Sequence, residues 1–113
     1  MKTRRLGKTD LQVSEIGFGG EWLERHPEEE SIELIHYASS KGINILDCWM
    51  ADPKSRDIIG KGIKDNRSQW FIQGHIGSTW KNEQYFRTRD MKYVRPAFED
   101  LLKLCRRIIL ILE

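Results

Sequence analysis

Hydrophobic residues follow two alternating patterns along the chain: short apolar runs, and longer stretches with apolar positions three or four residues apart. The short runs at 43–49 and 70–77 are rich in branched residues and lack regular polar alternation, as is typical of buried strands. The longer stretches, 28–41, 55–64 and 90–105, carry apolar residues at helical spacing. We therefore expect strands and helices to alternate along the chain.

The first twenty residues predict a hairpin followed by another strand. TRRLG and LQVSEIGFG flank the turn-rich GKTD, and the second run ends at Gly17, Gly19 and Gly20. The predicted order, a hairpin and then three strand–helix units, favours an α/β fold with a parallel sheet covered by helices. In such folds reactive residues lie where strands end, which here includes Asp47 and His75.

Three local features give further expectations. Ser55 is the predicted N-cap of the middle helix, and residues 78–89, STWKNEQYFRTR, are predicted to form a loop. Pro96 fits the last predicted helix only if it lies in the first turn, because proline has no backbone N–H to donate.

Composition narrows the functional classes. The 113 residues suffice for one modest domain, and the net charge of +2, with scattered Lys and Arg, indicates neither a nucleic-acid nor a membrane partner. The two cysteines have no CxxC spacing, which argues against a disulfide or zinc framework and favours the reducing cytoplasm. The N-terminus lacks the apolar core of a secretory signal, and no apolar run approaches the ~20 residues that span a bilayer.

Several motifs, taken in order, resemble the aldo-keto reductase family over about residues 1–104: MKTRRLGKTDLQVSEIGFGG, GINILDCW, SRDIIGKGIK and FEDLL. DCWM and QGHIGSTW are similar to a divergent branch of it, whose members often end in a ferredoxin-like cysteine cluster that this chain lacks. The resemblance implies the first three strand–helix units of an eight-stranded (β/α) TIM barrel. It also implies NADPH-dependent reduction of a small carbonyl substrate.

The family's catalytic residues are Asp, Tyr, Lys and His, and only the Asp is matched by identity, at Asp47. Asp52 stands at the tyrosine position and His75 at the lysine position. An aspartate is a poor proton donor near neutral pH, whereas an imidazole can donate there. We therefore assign His75 as the candidate general acid and Asp47 as its orienting partner, and Asp52 as a further candidate catalytic residue.

The resemblance also implies binding positions. Gly19 and Gly20 would let a nicotinamide cofactor approach the backbone, and Trp22 and Trp49 would line a substrate pocket, as Trp80 could. Structural alternatives stand beside each role. The tryptophans could be core residues, Asp47 and Asp52 could cap turns, and His75 could be a hydrogen-bonded structural histidine.

The segment 105–113 departs from the family, which typically continues KRLQTDYIDIGM from the position of Lys103. Deleting one base from the second codon of that run, with suitable synonymous codons, yields KLCRRIILILE and a stop. Those residues are Lys103 to Glu113 at every position. We therefore expect a frameshift-truncated chain with an out-of-frame apolar tail, from a biological change or a sequencing error. The β-prone run at 107–112 is expected to pair as a surrogate fourth strand, parallel to residues 70–74.

The sequence thus predicts an N-terminal fragment of an aldo-keto-reductase-like oxidoreductase that is inactive alone. The alternative is a truncated (β/α) fragment or interaction module with no enzymatic role. An incomplete barrel exposes a strand edge, so we expect self-association in either case.

Overall fold

The computed structural model describes residues 1–48, 51–105 and 111–112, and in that part of the chain it contains eight strands and three α-helices. In chain order these are β1 (Thr3–Arg5), β2 (Gln12–Ser14), β3 (Phe18–Gly19), α1 (Glu28–Ser40), β4 (Ile45–Cys48), α2 (Pro53–Gly62), β5 (Phe71–Gly74), β6 (Ser78–Lys81), β7 (Gln84–Arg87), α3 (Met91–Leu104) and β8 (Ile111–Leu112).

The central sheet has the strand order β3–β4–β5–β8, and all of its pairings are parallel. Its register aligns Gly19 with Asp47 and Asp47 with Gln73, so the carboxyl ends of β3, β4 and β5 meet at one edge. Helices α1 and α2 connect these strands in turn. The predicted α/β architecture is confirmed, and it corresponds to an incomplete (β/α) barrel.

The predicted N-terminal hairpin is formed by β1 and β2, which pair in antiparallel fashion. The side chain of Asn44 ties this hairpin to the start of β4: its Oδ1 accepts from the Ser14 backbone N–H at 2.7 Å, and its Nδ2 donates to the Gln12 carbonyl at 2.9 Å. The hairpin is thereby held at the end of the sheet opposite to Asp47.

The hydrophobic core lies between one face of the sheet and the helices. Successive strand residues point to opposite faces, so Leu46 and Ile72 are fully buried against the helices, whereas Asp47 and Gln73 on the other face are half-buried. The rest of this core consists mainly of aliphatic residues from the helices, among them Ile35, Ile58, Ile59, Ile63 and Leu101. The Asp47 side chain therefore points away from this core, whereas Cys48, the last residue of β4, is buried in it.

Two local expectations were wrong. Residues 78–89 contain the antiparallel hairpin β6–β7, in which Trp80 pairs with Tyr85. Helix α3 begins at Met91, so Pro96 lies beyond its first turn, inside the helix. There the proline ring cannot donate to the Lys92 carbonyl four residues earlier.

The tail expectation is met where the structure describes it. Ile111 and Leu112 pair in parallel with Gln73 and Gly74 of β5, as expected of a surrogate fourth strand. The remainder of the predicted strand, residues 107–110, lies outside the described residues.

Candidate functional site

The side chains of Asp47 and His75 contact each other at the carboxyl edge of the sheet. Asp47 is the third residue of β4, and His75 directly follows β5, the neighbouring parallel strand. The His75 Nε2 and Asp47 Oδ1 atoms are 3.0 Å apart. Their side chains are 24% and 40% exposed, so the pair is within reach of a small molecule in solvent. This placement agrees with the expectation from the sequence.

The hydrogen bond to Asp47 determines which nitrogen of His75 can act on a ligand. With Nε2–H directed at the carboxylate, Nδ1 is the nitrogen left to face another group. Nδ1 is an acceptor in the neutral ring and a donor in the imidazolium. The pair can therefore hold a proton at Nδ1 and release it, while Asp47 maintains the ring orientation.

An open cavity of about 440 Å³ lies on the same face of the sheet as Asp47. Gly19 and Gln73 flank Asp47 in register on the neighbouring strands, so one backbone-lined and one amide-lined wall adjoin the carboxylate. Sequence reasoning missed Gln73. Its signal was the strand alternation, which places residue 73 on the same face as the residue paired with it. The lining residues are Ser14, Glu15, Gly17, Phe18, Gly19, Ile45, Asp47 and Gln73.

The two candidate cofactor-binding glycines differ in their surroundings. A Cβ atom on Gly19 would meet nothing within 4 Å, so the backbone there is open to an approaching ligand. A Cβ on Gly20 would lie 2.7 Å from the Asp47 carbonyl oxygen and 2.8 Å from Ile59 Cδ1. The Gly20 N–H also donates to that carbonyl, and Ser55 Oγ donates to the Gly20 carbonyl. Close packing therefore explains why residue 20 is glycine.

Of the three tryptophans considered for a substrate pocket, the structure describes Trp22 and Trp80. Trp22 follows β3 with a left-handed φ of 71° and is 42% exposed. The Arg25 guanidinium lies 3.4 Å from its ring centroid, which is a cation–π contact covering one ring face. Trp49 lies outside the described residues. Trp80 lines a separate crevice between the start of α2, β6 and α3.

Asp52 is the N-cap of α2 and takes the role predicted for Ser55. Its Oδ1 accepts from the Lys54 backbone N–H at 2.8 Å, and Pro53 occupies the first helical position. Within the described residues no hydrogen bond joins Asp52 to Asp47 or His75. A capping role accounts for Asp52 without any part in proton transfer.

We expect Asp52→Ala to lower the free energy of unfolding by about 1 kcal/mol, because the first turn of α2 loses its side-chain acceptor. Asp52→Asn should remain close to the parent, since asparagine caps equally well. Urea denaturation followed by circular dichroism measures both. An asparagine variant that is as destabilised as the alanine variant would show that the carboxylate charge, and not the cap, is what matters.

The described residues offer no site for a metal ion, since no group of three or more His, Cys, Asp or Glu side chains converges among them. None of the helices in the described ranges is long and apolar enough to cross a membrane.

The chain is similar to known proteins over nearly its whole length. It is 26% identical over 106 residues to an uncharacterized oxidoreductase, YqkF, of Bacillus subtilis; the match covers 90% of this chain and 34% of that protein. The holo form of an aldo-keto reductase from Bacillus halodurans superposes with a TM-score of 0.81 at 25% identity, over 97% of this chain and 38% of that one. The chain thus spans well under half the length of these relatives.

A more distant aldo-keto reductase, from Klebsiella pneumoniae and solved in complex with NADPH, matches with a TM-score of 0.71 at 17% identity. This match covers 96% of this chain and 37% of the Klebsiella protein. At 17% identity the likeness shows the fold alone. No protein-family profile matches the sequence. The motifs, the parallel sheet and these relatives agree: the chain resembles the N-terminal part of aldo-keto reductases and spans well under half of their length.

Proposed function

We propose that these residues form the N-terminal part of an oxidoreductase that transfers hydride between a nicotinamide cofactor and a carbonyl or alcohol substrate. The observation that carries the proposal is the 3.0 Å contact between His75 Nε2 and Asp47 Oδ1 at the carboxyl edge of the sheet. A proton donor is needed where carbonyl reduction leaves negative charge on oxygen, and this pair supplies one, with Asp47 lining an open cavity. The similar proteins, an oxidoreductase and an aldo-keto reductase, support the same reaction class.

In this proposal His75 is the general acid. Its protonated Nδ1 gives a proton to the carbonyl oxygen of the substrate during reduction, and the deprotonated Nδ1 takes the hydroxyl proton during alcohol oxidation. Asp47 is a positioning residue that acts through the Nε2 hydrogen bond and stabilises the imidazolium. Asp52 has no part in the step, since its carboxylate caps α2.

The proposed cofactor is NADPH, which supplies the hydride when bound. Gly19 fits the nicotinamide end, because its backbone adjoins Asp47 in register and has open space where a side chain would be. Gly20 does not fit as a contact of its own, since strand β4 and helix α2 occupy that space. The NADPH complex of the Klebsiella relative supports a nicotinamide cofactor for the fold. A small carbonyl compound is the proposed substrate, and Trp22 and Trp49 are the proposed substrate-binding residues.

We further propose that residues 105–113 are an out-of-frame replacement for the family's fourth strand. The support is the translation itself: one deleted base converts the family's usual run into this segment residue by residue. Ile111–Leu112 pairs with β5 on the side away from β4, where a fourth parallel strand belongs. The nucleotide sequence around codon 104 tests this directly: restoring one base there should recover a frame that encodes the family's run, and a shifted frame that encodes no such run would refute it.

We expect the 113-residue chain to bind NADPH weakly or not at all and to self-associate, and a frame-restored chain to bind NADPH as a monodisperse protein. Of the two candidate cofactor-binding glycines, only Gly19 has an open backbone, and β8 is the last strand in the described sheet, where another copy can pair. NADPH fluorescence enhancement and sedimentation velocity on both chains measure this.

A monodisperse, cooperatively melting 113-residue chain that binds NADPH would contradict the fragment proposal. Failure of the frame-restored chain to bind NADPH would instead contradict the oxidoreductase proposal. The two outcomes are therefore distinguishable within one experiment.

The second candidate function is an interaction module with no enzymatic role, or an inactive fragment. The observation in its favour is an apolar groove on the outer side of α3, with Met91 62% exposed and Ile76 56% exposed. An exposed apolar groove of this kind suits self-association. The absence of any NADPH binding by the frame-restored chain would favour this candidate. In either case we propose a cytoplasmic protein, since the chain has only two cysteines and they lack the spacing of a disulfide or zinc framework.

A further inference from the structure

Two cysteines that are distant in sequence meet in the core. Cys48 ends β4 and Cys105 caps the C-terminus of α3, 57 positions later, and their Sγ atoms are 3.6 Å apart. They are the only cysteines of the sequence, and both are free thiols with 1% and 0% exposure. Their spacing in sequence argued against a disulfide, but the fold brings the two sulfur atoms into van der Waals contact.

Independent contacts fix the end of α3 at this position. Arg67 Nε donates to the Cys105 carbonyl at 3.1 Å, and the Cys105 N–H donates to the Leu101 carbonyl at 3.0 Å. Helix α3 also lies so close to α2 that a Cβ on Gly60 would overlap the Leu104 carbonyl oxygen. Cys48 is fixed by its place in β4, where it pairs in register with Gly74. Backbone contacts therefore fix the positions of both cysteines, and the contact between their sulfur atoms does not depend on side-chain rotation alone.

The two thiols differ in acidity, and attack on a disulfide requires the ionised form, the thiolate. The hydrogen bond from Cys48 lowers the pKa of the Cys105 thiol, and the nearby Arg56 and Arg67 guanidinium groups lower it further, against the effect of burial. The same hydrogen bond, followed by burial, raises the pKa of the Cys48 thiol. Cys105 is thus the first to ionise and the attacking group, with Cys48 as its neighbour.

We propose that Cys48 and Cys105 form a disulfide by exchange with a low-molecular-weight disulfide, joining the end of α3 to the strand that carries Asp47. The Cys105 thiolate attacks one sulfur of the small disulfide and releases a thiolate, which takes the Cys105 proton. The Cys48 thiolate then attacks Cys105 Sγ and releases the second thiolate, which takes the Cys48 proton. The two protein thiols are oxidised and the small disulfide is reduced to two thiols. This proposal does not depend on the proposed oxidoreductase function.

The first test is a search for the link itself. The 113-residue chain is incubated with oxidised glutathione, alkylated, and digested with trypsin without reduction. The expected product joins peptide 42–54 to peptide 104–106, in a chain that remains monomeric on a denaturing gel and takes up no alkylating agent. The Cys48→Ser and Cys105→Ser variants are the controls, and each should give only a glutathione adduct or an intermolecular dimer. The same products from the unsubstituted chain would overturn the proposal.

The second test asks whether the fold favours the link. The fraction of linked chain is measured at equilibrium over a range of reduced to oxidised glutathione, in buffer and in concentrated urea. A disulfide that suits the fold should tolerate about 30-fold more reducing conditions in buffer than in urea, and should raise the Tm by about 10 °C. If the disulfide is reduced as easily in buffer as in urea, or more easily, the folded state does not favour it. The two thiols would then be ordinary core residues, and the proposal would be overturned.

Discussion

Replacing His75 by glutamine in the frame-restored chain is expected to lower kcat/KM for carbonyl reduction about 100- to 10,000-fold, the range lost when a general acid is removed. Glutamine retains a polar side chain that can still hydrogen-bond to Asp47, but it has no proton to release at neutral pH. The measurement is the steady-state loss of NADPH absorbance with a panel of small aldehydes and ketones. The loss should lie in kcat, since NADPH binding does not need the imidazole.

His36→Gln is the matched control for this prediction, because His36 is exposed on α1 and far in sequence from the site. It makes the same chemical change and should leave kcat/KM unaltered. Asp47→Asn tests the positioning role: the amide cannot stabilise the imidazolium, so the pH profile of kcat should change as well as its size. If the His75→Gln variant has full activity and an unchanged melting temperature, another group must donate the proton. His75 would then be a structural histidine.

The placement of Asp47 and His75 was predictable because it depends only on the order of strands and helices along the chain. Parallel strands separated by helices bring their carboxyl ends to one edge, so any residue that follows a buried run lands there. Asp47 and His75 satisfy that rule by position, and their 3.0 Å contact required no further information. The family resemblance was needed only to give the two residues their proposed chemistry.

The hairpin β6–β7 was missed because its turn lacks the usual sequence signal. Asn82 and Glu83 both adopt positive φ, 51° and 59°, at the two central positions, and neither is glycine. The hairpin is held by contacts outside its own strands: the Phe86 ring packs edge-on against Tyr93 of α3, with centroids 5.9 Å apart. Tertiary packing of this kind leaves no periodic pattern within residues 78–89.

Helix α2 has two candidate N-cap residues near its start. Ser55 and Asp52 are both good N-cap residues, and the sequence alone favoured the one next to the apolar positions. In the structure Ser55 Oγ donates to the Gly20 carbonyl instead, across to the loop after β3. That buried hydrogen bond exists only once β3 is in place, so local propensity could not reveal it.

The close approach of α2 and α3 at Gly60 leads to the other large expected effect. A Cβ on Gly60 would overlap the Leu104 carbonyl oxygen and lie 3.0 Å from the carbonyl carbon. Those are backbone atoms of a helix end that is itself hydrogen-bonded to Arg67, so no side-chain rotation relieves the overlap. The two helices must separate, and the burial of Leu101 and Cys105 is lost in part.

We expect Gly60→Ala to lower the free energy of unfolding by about 2–4 kcal/mol, although alanine favours an isolated helix by about 1 kcal/mol over glycine. Two glycines serve as graded controls. Gly62→Ala should cost less, because its Cβ meets the flexible end of Ile35 at 2.8 Å, and Gly19→Ala should cost little, because nothing lies within 4 Å. Urea denaturation followed by circular dichroism ranks the three variants. A Gly60→Ala chain as stable as Gly19→Ala would mean that α3 does not rest on α2, and the geometry that brings Cys105 to Cys48 would be refuted with it.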